Sequence, residues 1–500
     1  MEVLSKTKFN YKVLFIIFAV LFSVGVVFGF LGFPKLLEYV ITKNMKLMPG
    51  NAIREMFLKV PFPLTFNVYL FNVTNPDEVQ MGKTPVVHEV GPYVFEEWKD
   101  KYDVEDDEVH DKLSFNLRNT FIYRPDLTLP LTGAEIFTMP HLILMAGSIA
   151  AYKDRPEMMN LVVSGMDAIF DNPTTPFVTA KAYDLIFDGL LINCNKSDFG
   201  AKVICAVMRN EMMDQFEVID ESHLKLSLLK AQNHTDAGRY SVYRGRTNVK
   251  DVGKIIEYNN ELELDTYEND TCNQFNGTDG LIFPPFLKET DEIWAFEHSL
   301  CRSFAVKFQS KSSFEDIQTS RFALEIPDVK NDPNLWCFCK NPPNDCPVKG
   351  TFDLSMCTSA PLVGSKPHFY DADPVLRCHV RGLNPQKELH ESVVDFYMLT
   401  GTPLNGARRL QINLDMVPVP TYPILKDLPT ALLPMIWLEE KITMNKTFVD
   451  DMKVIIFFQN LNNILRYVCI LFGAIGGAVS AYYLINGPTK KLALEKRLSM

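Results

Sequence analysis

The chain has 500 residues, is 47% hydrophobic and carries a formal net charge of −11. That apolar content exceeds what one ordinary soluble core takes up, so part of it is expected in membrane spans. The acidic balance argues against nucleic acid and heparin-like polyanions as partners.

Val13 to Phe33 is free of charge and long enough to cross about 30 Å of hydrocarbon, and Tyr467 to Ile485 is a second, slightly shorter run. The first is too long for the apolar part of a cleaved signal peptide and lacks a small-residue exit site, so it reads as a permanent anchor. Lys6, Lys8 and Lys12 precede it, and Lys490, Lys491, Lys496 and Arg497 follow the second run. This positive flanking places both termini in the cytoplasm. The expected division is a tail 1–12, spans 13–33 and 464–485, an external domain 34–463 and a tail 486–500. N-x-S/T sequons at Asn72, Asn195, Asn233, Asn269, Asn276 and Asn445 all fall in that external domain. Gly25, Gly29 and Gly32 in the first span, and Gly473, Gly476 and Gly477 in the second, offer a close-packing face, although glycine is common in membrane helices anyway.

Beyond the first span, Leu64, Phe66, Val68 and Leu70 alternate with Thr65, Asn67 and Tyr69, the pattern of a half-buried strand. The acidic run from Asp100 to Asp111 reads as a solvated loop, and LSFNLRN as another strand. From Met139 to Met213 the pattern changes. LILMAGSIAAY, EMMNLVVSGMDAIF and FVTAKAYDLIFDGLL read as three helices, broken at Arg155-Pro156 and between Asn172 and Pro176. Eight of the 20 methionines lie in this apex segment, which suits either an adaptable apolar ligand surface or a plain helix-bundle core. Strand alternation returns in Phe304, Val306 and Phe308, in Phe322, Leu324 and Ile326, and in Leu410 to Met416. The fold class is therefore α+β: two transmembrane helices flanking a large ectodomain, with an antiparallel β-barrel-like core and a helical apex.

Cys272, Cys301, Cys337, Cys339, Cys346 and Cys357 crowd into one segment, beside the sequons at Asn269 and Asn276. That density argues for disulfides in an oxidising compartment. Zinc fits poorly, because a single residue separates Cys337 from Cys339 and no histidine pair follows at ligand spacing. Six cysteines allow 15 pairings, which spacing alone does not resolve. Cys194 and Cys205 could bridge, Cys378 has no evident partner, and Cys469 is expected as a free thiol in the second span. No G-x-S-x-G elbow, H-E-x-x-H helix, P-loop or G-x-G-x-x-G occurs, so no catalytic residue, metal or cofactor is nominated.

The runs NGTDGLIFPPF, LCRSFAVKF, SRFALEIPD and WCFC resemble the class B scavenger-receptor family, which includes fatty-acid translocase. FNVTNP, GPYVF, GRTNVKDVGKI and LPMIWLEE extend the resemblance over nearly the whole ectodomain. KVPFPL, GPYVFEEWKDK and PLTGAEI are most similar to its insect sensory neuron membrane protein branch. The resemblance implies the pairings Cys272–Cys337, Cys301–Cys357 and Cys339–Cys346, and a helical apex that captures ligand ahead of an internal apolar tunnel. Family members that seize carboxylates carry lysines before the segment matching Phe177 to Leu191. This chain has Asp171-Asn172-Pro173-Thr174-Thr175-Pro176 there, with Lys181 the only cation nearby in sequence. A neutral long-chain ligand is therefore expected, with Met166, Phe170, Phe177 and Lys181 as entrance candidates.

For the sensory branch, the resemblance implies an olfactory co-receptor in the plasma membrane of a sensory neuron dendrite. It would take lipid-derived pheromone, with a pheromone-binding carrier protein as a candidate donor, and pass it to an odorant-receptor channel complex. A general scavenger or lipid-uptake receptor is the alternative within the family. From other classes, a two-span ligand-gated channel or a double-anchored ectoenzyme would share the topology. The apolar runs Val13 to Phe33 and Tyr467 to Ile485 hold no ionised side chain, Arg466 marking only the outer edge of the second, which opposes the channel, and the absent motifs oppose the ectoenzyme.

Overall fold

The computed structural model describes residues 10–210, 215–268 and 270–486, and it divides into two compact units, one built from the chain ends and one from Met45–Met444. The terminal unit pairs two helices, Tyr11–Asn44 and Lys446–Asn486, each long and apolar enough to cross a membrane. Both run well past the spans expected from hydropathy, and the first passes through a π-helical turn at Phe28–Gly32. The glycines set their closest approach. A Cβ on Gly473 would lie 2.6 Å from the Phe22 nitrogen, and one on Gly476 would lie 2.4 Å from the Phe18 ring. Gly25 and Gly29 face Arg466 in the same way, whereas Gly477 faces open space. Asn462 donates to the Gly29 carbonyl at 3.2 Å, a polar bond across the helix pair.

The Met45–Met444 unit is organised by one antiparallel sheet. Its main strands, numbered along the chain, are β1 (Leu64–Val73), β2 (Val87–Asp107), β3 (Lys112–Tyr123), β4 (Asp236–Tyr243), β5 (Ile255–Tyr258), β6 (Ile293–Glu297), β7 (Arg302–Phe314), β8 (Ile317–Leu324), β9 (Val393–Tyr397), β10 (Thr402–Met416) and β11 (Ala431–Thr443). Their spatial order is β5-β4-β3-β2-β1-β11-β10-β9-β8-β7-β6. Sequence neighbours are thus spatial neighbours, except where the first strand joins the last. The segment at Gly277-Thr278 joins the two free edges. Ile255 N donates to Gly277 O at 2.9 Å, Thr278 N to Trp294 O at 3.2 Å, and Phe296 N to Thr278 O at 2.8 Å. The sheet so closes into a barrel, which satisfies edge groups that would otherwise invite aggregation.

Alternation along β1 fixes which side chains face inward. Phe66 is registered with Phe95 on β2 and with Glu440 on β11, and Glu440 with Arg408 on β10. The same face therefore carries Phe95, Glu97, Lys99 and Lys101 along β2. The opposite face, with Tyr69, Trp437, Glu439 and Arg409, is covered by the stretch 366–392, which bonds back to it through His368 N to Gln411 Oε1 at 2.7 Å. The acidic run expected as a loop belongs largely to the sheet, since β2 continues to Asp107. Its charges are satisfied from afar: Asp106 accepts from Arg54 at 2.6 Å and from Arg244 at 3.0 Å.

Four disulfides are formed: Cys272–Cys337, Cys301–Cys357, Cys339–Cys346 and Cys194–Cys205. Cys378 and Cys469 are free thiols. The segment between β3 and β4 forms the apex, where two of the three expected helices are present, Leu142–Asp154 and Met159–Ile169. The third is not a helix. Phe177–Lys181 is a strand paired with Ile136–Pro140, Asp184–Asp188 is a single π turn, and Leu190–Asn193 is a strand paired with His223–Leu226. Phe177–Lys181 pairs residue for residue with Ile136–Pro140, which commits it to a strand, and Gly189, at φ +86°, stops the helical turn before it can propagate. An additional helix lies at Phe199–Asn210, tied by Cys205 to Cys194.

Candidate ligand-handling site

The apex helices meet through small residues. Gly165 and Gly200 are in contact, so that a Cβ on Gly165 would lie 2.5 Å from the Gly200 carbonyl carbon. Beneath them Met139, Met145, Met159, Met166 and Met208 are all buried. Most of this methionine concentration is therefore core, the plainer of the two sequence readings. Met158 is exposed, and Met212 and Met213 lie outside the described residues.

The π turn hangs over the inward face of the barrel. Phe187 stacks on Phe95 at 6.1 Å, and Tyr183 tilts against Tyr123 at 5.2 Å. Phe66 and Phe121 pack edge-on just below, at 5.1 Å. Farther along the same face the lining becomes ionic. Arg408 donates to Glu297 and lies 2.6 Å from Glu440, and Lys99 donates to Glu440 at 2.6 Å and stands 3.3 Å from Glu97. β10 and β6 are four strands apart around the wall, so the Arg408–Glu297 bond runs across the lumen. Below it a second aromatic group closes in, with Phe115 against Phe57 at 5.5 Å and against Tyr240 at 5.8 Å.

Burial pushes the Glu97 carboxyl up, with the Glu440 carboxylate adding to the effect, from the ordinary value near 4.5 to about 8, although Lys99 and Arg408 oppose it. Burial works the same way on Glu297, but Arg408, His298 and Lys99 outweigh it and hold that group ionised. A carboxyl whose folded pKa is raised contributes stability that is complete below about pH 4.5 and lost as pH rises through about 8. Glu97→Gln is therefore expected to flatten the decline of the thermal midpoint between pH 5 and 8 and to leave the variant the more stable protein at pH 8. Parallel midpoint curves for the two proteins would refute this.

A grouping with metal-ligand chemistry lies on the outer face, where ligand atoms of Glu89, His368 and His390 fall within 4.8 Å of one another. Their hydrogen bonds oppose that use. Asn384 N donates to His368 Nδ1 at 3.0 Å and Gln386 N donates to His390 Nδ1 at 2.9 Å. Each neutral ring then carries its proton on Nε2, the nitrogen a metal would need bare. His368 Nε2 instead bonds to Glu89, which also accepts from Trp437 Nε1 at 2.6 Å. Burial pushes the His390 pKa down to about 4, so its ring is neutral at physiological pH.

The entrance candidates divide by depth. Met166 and Phe177 are buried in the main core, Phe170 is half-buried with its ring 4.3 Å from His141, and Lys181 is exposed at the end of its strand. Lys181 does not stand alone: Lys196, remote in sequence, reaches Asp171 of the preceding turn at 2.7 Å. Of the sequon asparagines, Asn195, Asn276 and Asn445 are exposed and Asn72 and Asn233 half-buried, while Asn269 lies outside the described residues. The lumenal ionic group went unread in the sequence. Its only local trace is a pair of lysines, Lys99 and Lys101, at strand spacing in an otherwise apolar and acidic run.

The sequence profile of the CD36 family matches residues 16–484. Sensory neuron membrane protein 1 of Aedes aegypti is 44% identical over 90% of this chain and 83% of its own length. Proteins with the same name from Anopheles gambiae and Manduca sexta are 42% and 40% identical, over 96% and 91% of this chain and 89% and 88% of their own lengths.

Proposed function

This chain belongs to the CD36 family, as a membrane protein of the class B scavenger-receptor type, and we propose that it is an olfactory co-receptor for lipid-derived pheromones. Ligand arrives at the apex, with Phe170 and Lys181 at the rim and Met166 and Phe177 below. It then travels the barrel lumen and reaches an odorant-receptor channel complex in the same membrane. A soluble pheromone-binding protein is the proposed donor, and the plasma membrane of a sensory dendrite, with both termini cytoplasmic, the proposed setting. On this reading the chain is a receptor and not an enzyme. The observation that carries the proposal is the closed barrel, whose inward face is aromatic beneath the apex at Phe66, Phe95 and Phe121. Such a path needs apolar lining without a deep energy minimum, so that cargo leaves as readily as it enters. The turn 171–176 contains no lysine or arginine, and the Lys196 ammonium that reaches it is paired with Asp171, which favours neutral cargo over free acids.

The test uses full-length protein in lipid nanodiscs and a fluorescent long-chain probe, displaced by chain-matched aldehydes, esters and free acids. Saturable displacement with neutral chains ahead of acids is expected. If folded, fully bridged protein binds no chain saturably, the protein supports its receptor partner without carrying lipid.

A further inference from the structure

The ionic group in the lumen is unusual in two respects. Arg408 points across the barrel yet keeps 52% of its side chain accessible, so the lumen is open at its level. Its bonds to Glu297 through Nη1 and to Glu440 through Nη2 use two of the five guanidinium N–H donors. Glu97, by contrast, is only 3% exposed, and its Oε2 has no hydrogen-bond partner among the described residues. A guanidinium donor facing open space, beside a carboxyl oxygen with no partner among the described residues, is what a polar ligand atom would engage.

We propose that Arg408 and Glu97 form a head-group site within the lumen, which accepts the carbonyl oxygen of a long-chain aldehyde or ester and turns away the free carboxylate. The proposal rests on the reading of the lumen as the ligand path. Lys99 and Arg408 supply two positive charges, against three carboxyl groups at Glu97, Glu297 and Glu440. With its raised pKa Glu97 holds a proton at neutral pH, bonded towards the neighbouring Glu440 carboxylate, and this balances the group. An entering carboxylate would add a third negative charge to a group that is already balanced, whereas a carbonyl accepts from a spare Arg408 N–H, beside the neutral Glu97, without altering the balance. The aliphatic chain then runs towards Phe66, Phe95 and Phe121, which are packed against one another and must part to admit it.

The experiment compares wild type with Arg408→Met and Arg408→Lys, full length in nanodiscs, using a long-chain aldehyde, the matching free acid and a hydrocarbon of the same length without a head group. Hydrogen bonds to a charged group make the expected loss of aldehyde affinity in Arg408→Met about tenfold or more, with hydrocarbon affinity unchanged. Arg408→Lys keeps the charge and a smaller loss is expected, which covers failure of the first variant to fold. The infrared C=O stretch of bound aldehyde is expected at lower frequency in wild type than in either variant. An unchanged ratio of aldehyde to hydrocarbon affinity in a folded variant overturns the head-group site while leaving the lipid path standing. Absence of saturable binding in wild type, before any substitution, removes the path and the site together.

Discussion

Gly277→Ala is expected to keep the protein from reaching the cell surface. Gly277 sits at φ +84° in the segment that stitches β5 to β6, and an added Cβ would lie 1.9 Å from the Trp294 carbonyl oxygen and 2.2 Å from its carbon. Those are backbone atoms, and they cannot retreat without breaking the bonds from Thr278 N to Trp294 O and from Ile255 N to Gly277 O. Left-handed backbone and steric overlap together cost about 3 kcal/mol or more, a large share of the usual 5 to 15 kcal/mol of domain stability. The sequon at Asn276 survives as N-A-T, so loss of a glycan would not explain the defect. Gly280→Ala is the matched control. Gly280 has the same φ of +84°, but its added Cβ would meet only the Ala295 methyl, at 4.0 Å. Surface abundance and thermal midpoint are expected to fall steeply for the first variant and slightly for the second. Equal losses would mean that backbone strain alone, and not barrel closure, sets the cost.

What could be read in advance followed from how local each signal is. The alternation from Leu64 to Leu70 placed a strand and one buried face, because a period of two is written in consecutive residues, but the strand is not half-buried as expected: Asn67 on the other face is buried and Tyr69 partly so. Cysteine density points to a bridged framework, whereas the pairing of the six central cysteines is implied by family resemblance, and spacing permits the Cys194–Cys205 bridge without requiring it. Phe177 to Leu191 misled because its apolar residues also fit a helical stripe, and the partner strand that decides the matter lies at Ile136–Pro140. The acidic run misled for a related reason. Charge usually means solvent, but Arg244, which clamps Asp106, is 138 residues away. The lumenal ionic group is the extreme case, with Lys99 and Glu440 separated by 341 residues and joined only by the closed sheet. No pattern confined to one segment could have announced it.

The same distance effect makes Lys101 a damaging charge to remove. Its side chain is fully buried, its ammonium 2.6 Å from Asp279 Oδ2, 2.9 Å from the Phe57 carbonyl and 3.2 Å above the Phe57 ring. Asp279 is itself only 5% exposed, and its other oxygen accepts from Leu281 N at 3.1 Å, which ties the ion pair to the closing segment of the barrel. Lys101→Met leaves that carboxylate buried without its counter-charge, a change that typically costs about 3 to 5 kcal/mol. The pair is not thereby a net stabiliser. Burial pulls the Lys101 pKa down to about 8 against the opposing effect of Asp279, so the charged amine is held less readily in the fold than in the unfolded chain. A depressed folded pKa means that the unfolded chain binds more protons between about pH 8 and 10.5, so this group's contribution to stability rises across that window. Two results follow together. Lys101→Met is expected to lose most of its cooperative unfolding transition near neutral pH, while Lys101→Met with Asp279→Asn recovers the greater part of it, because no orphaned charge remains. Denaturant titration of the two variants at pH 7 decides between explanations, since equal instability of single and double variants would trace the loss to packing around Phe57 and Phe115 instead of to an unpaired carboxylate.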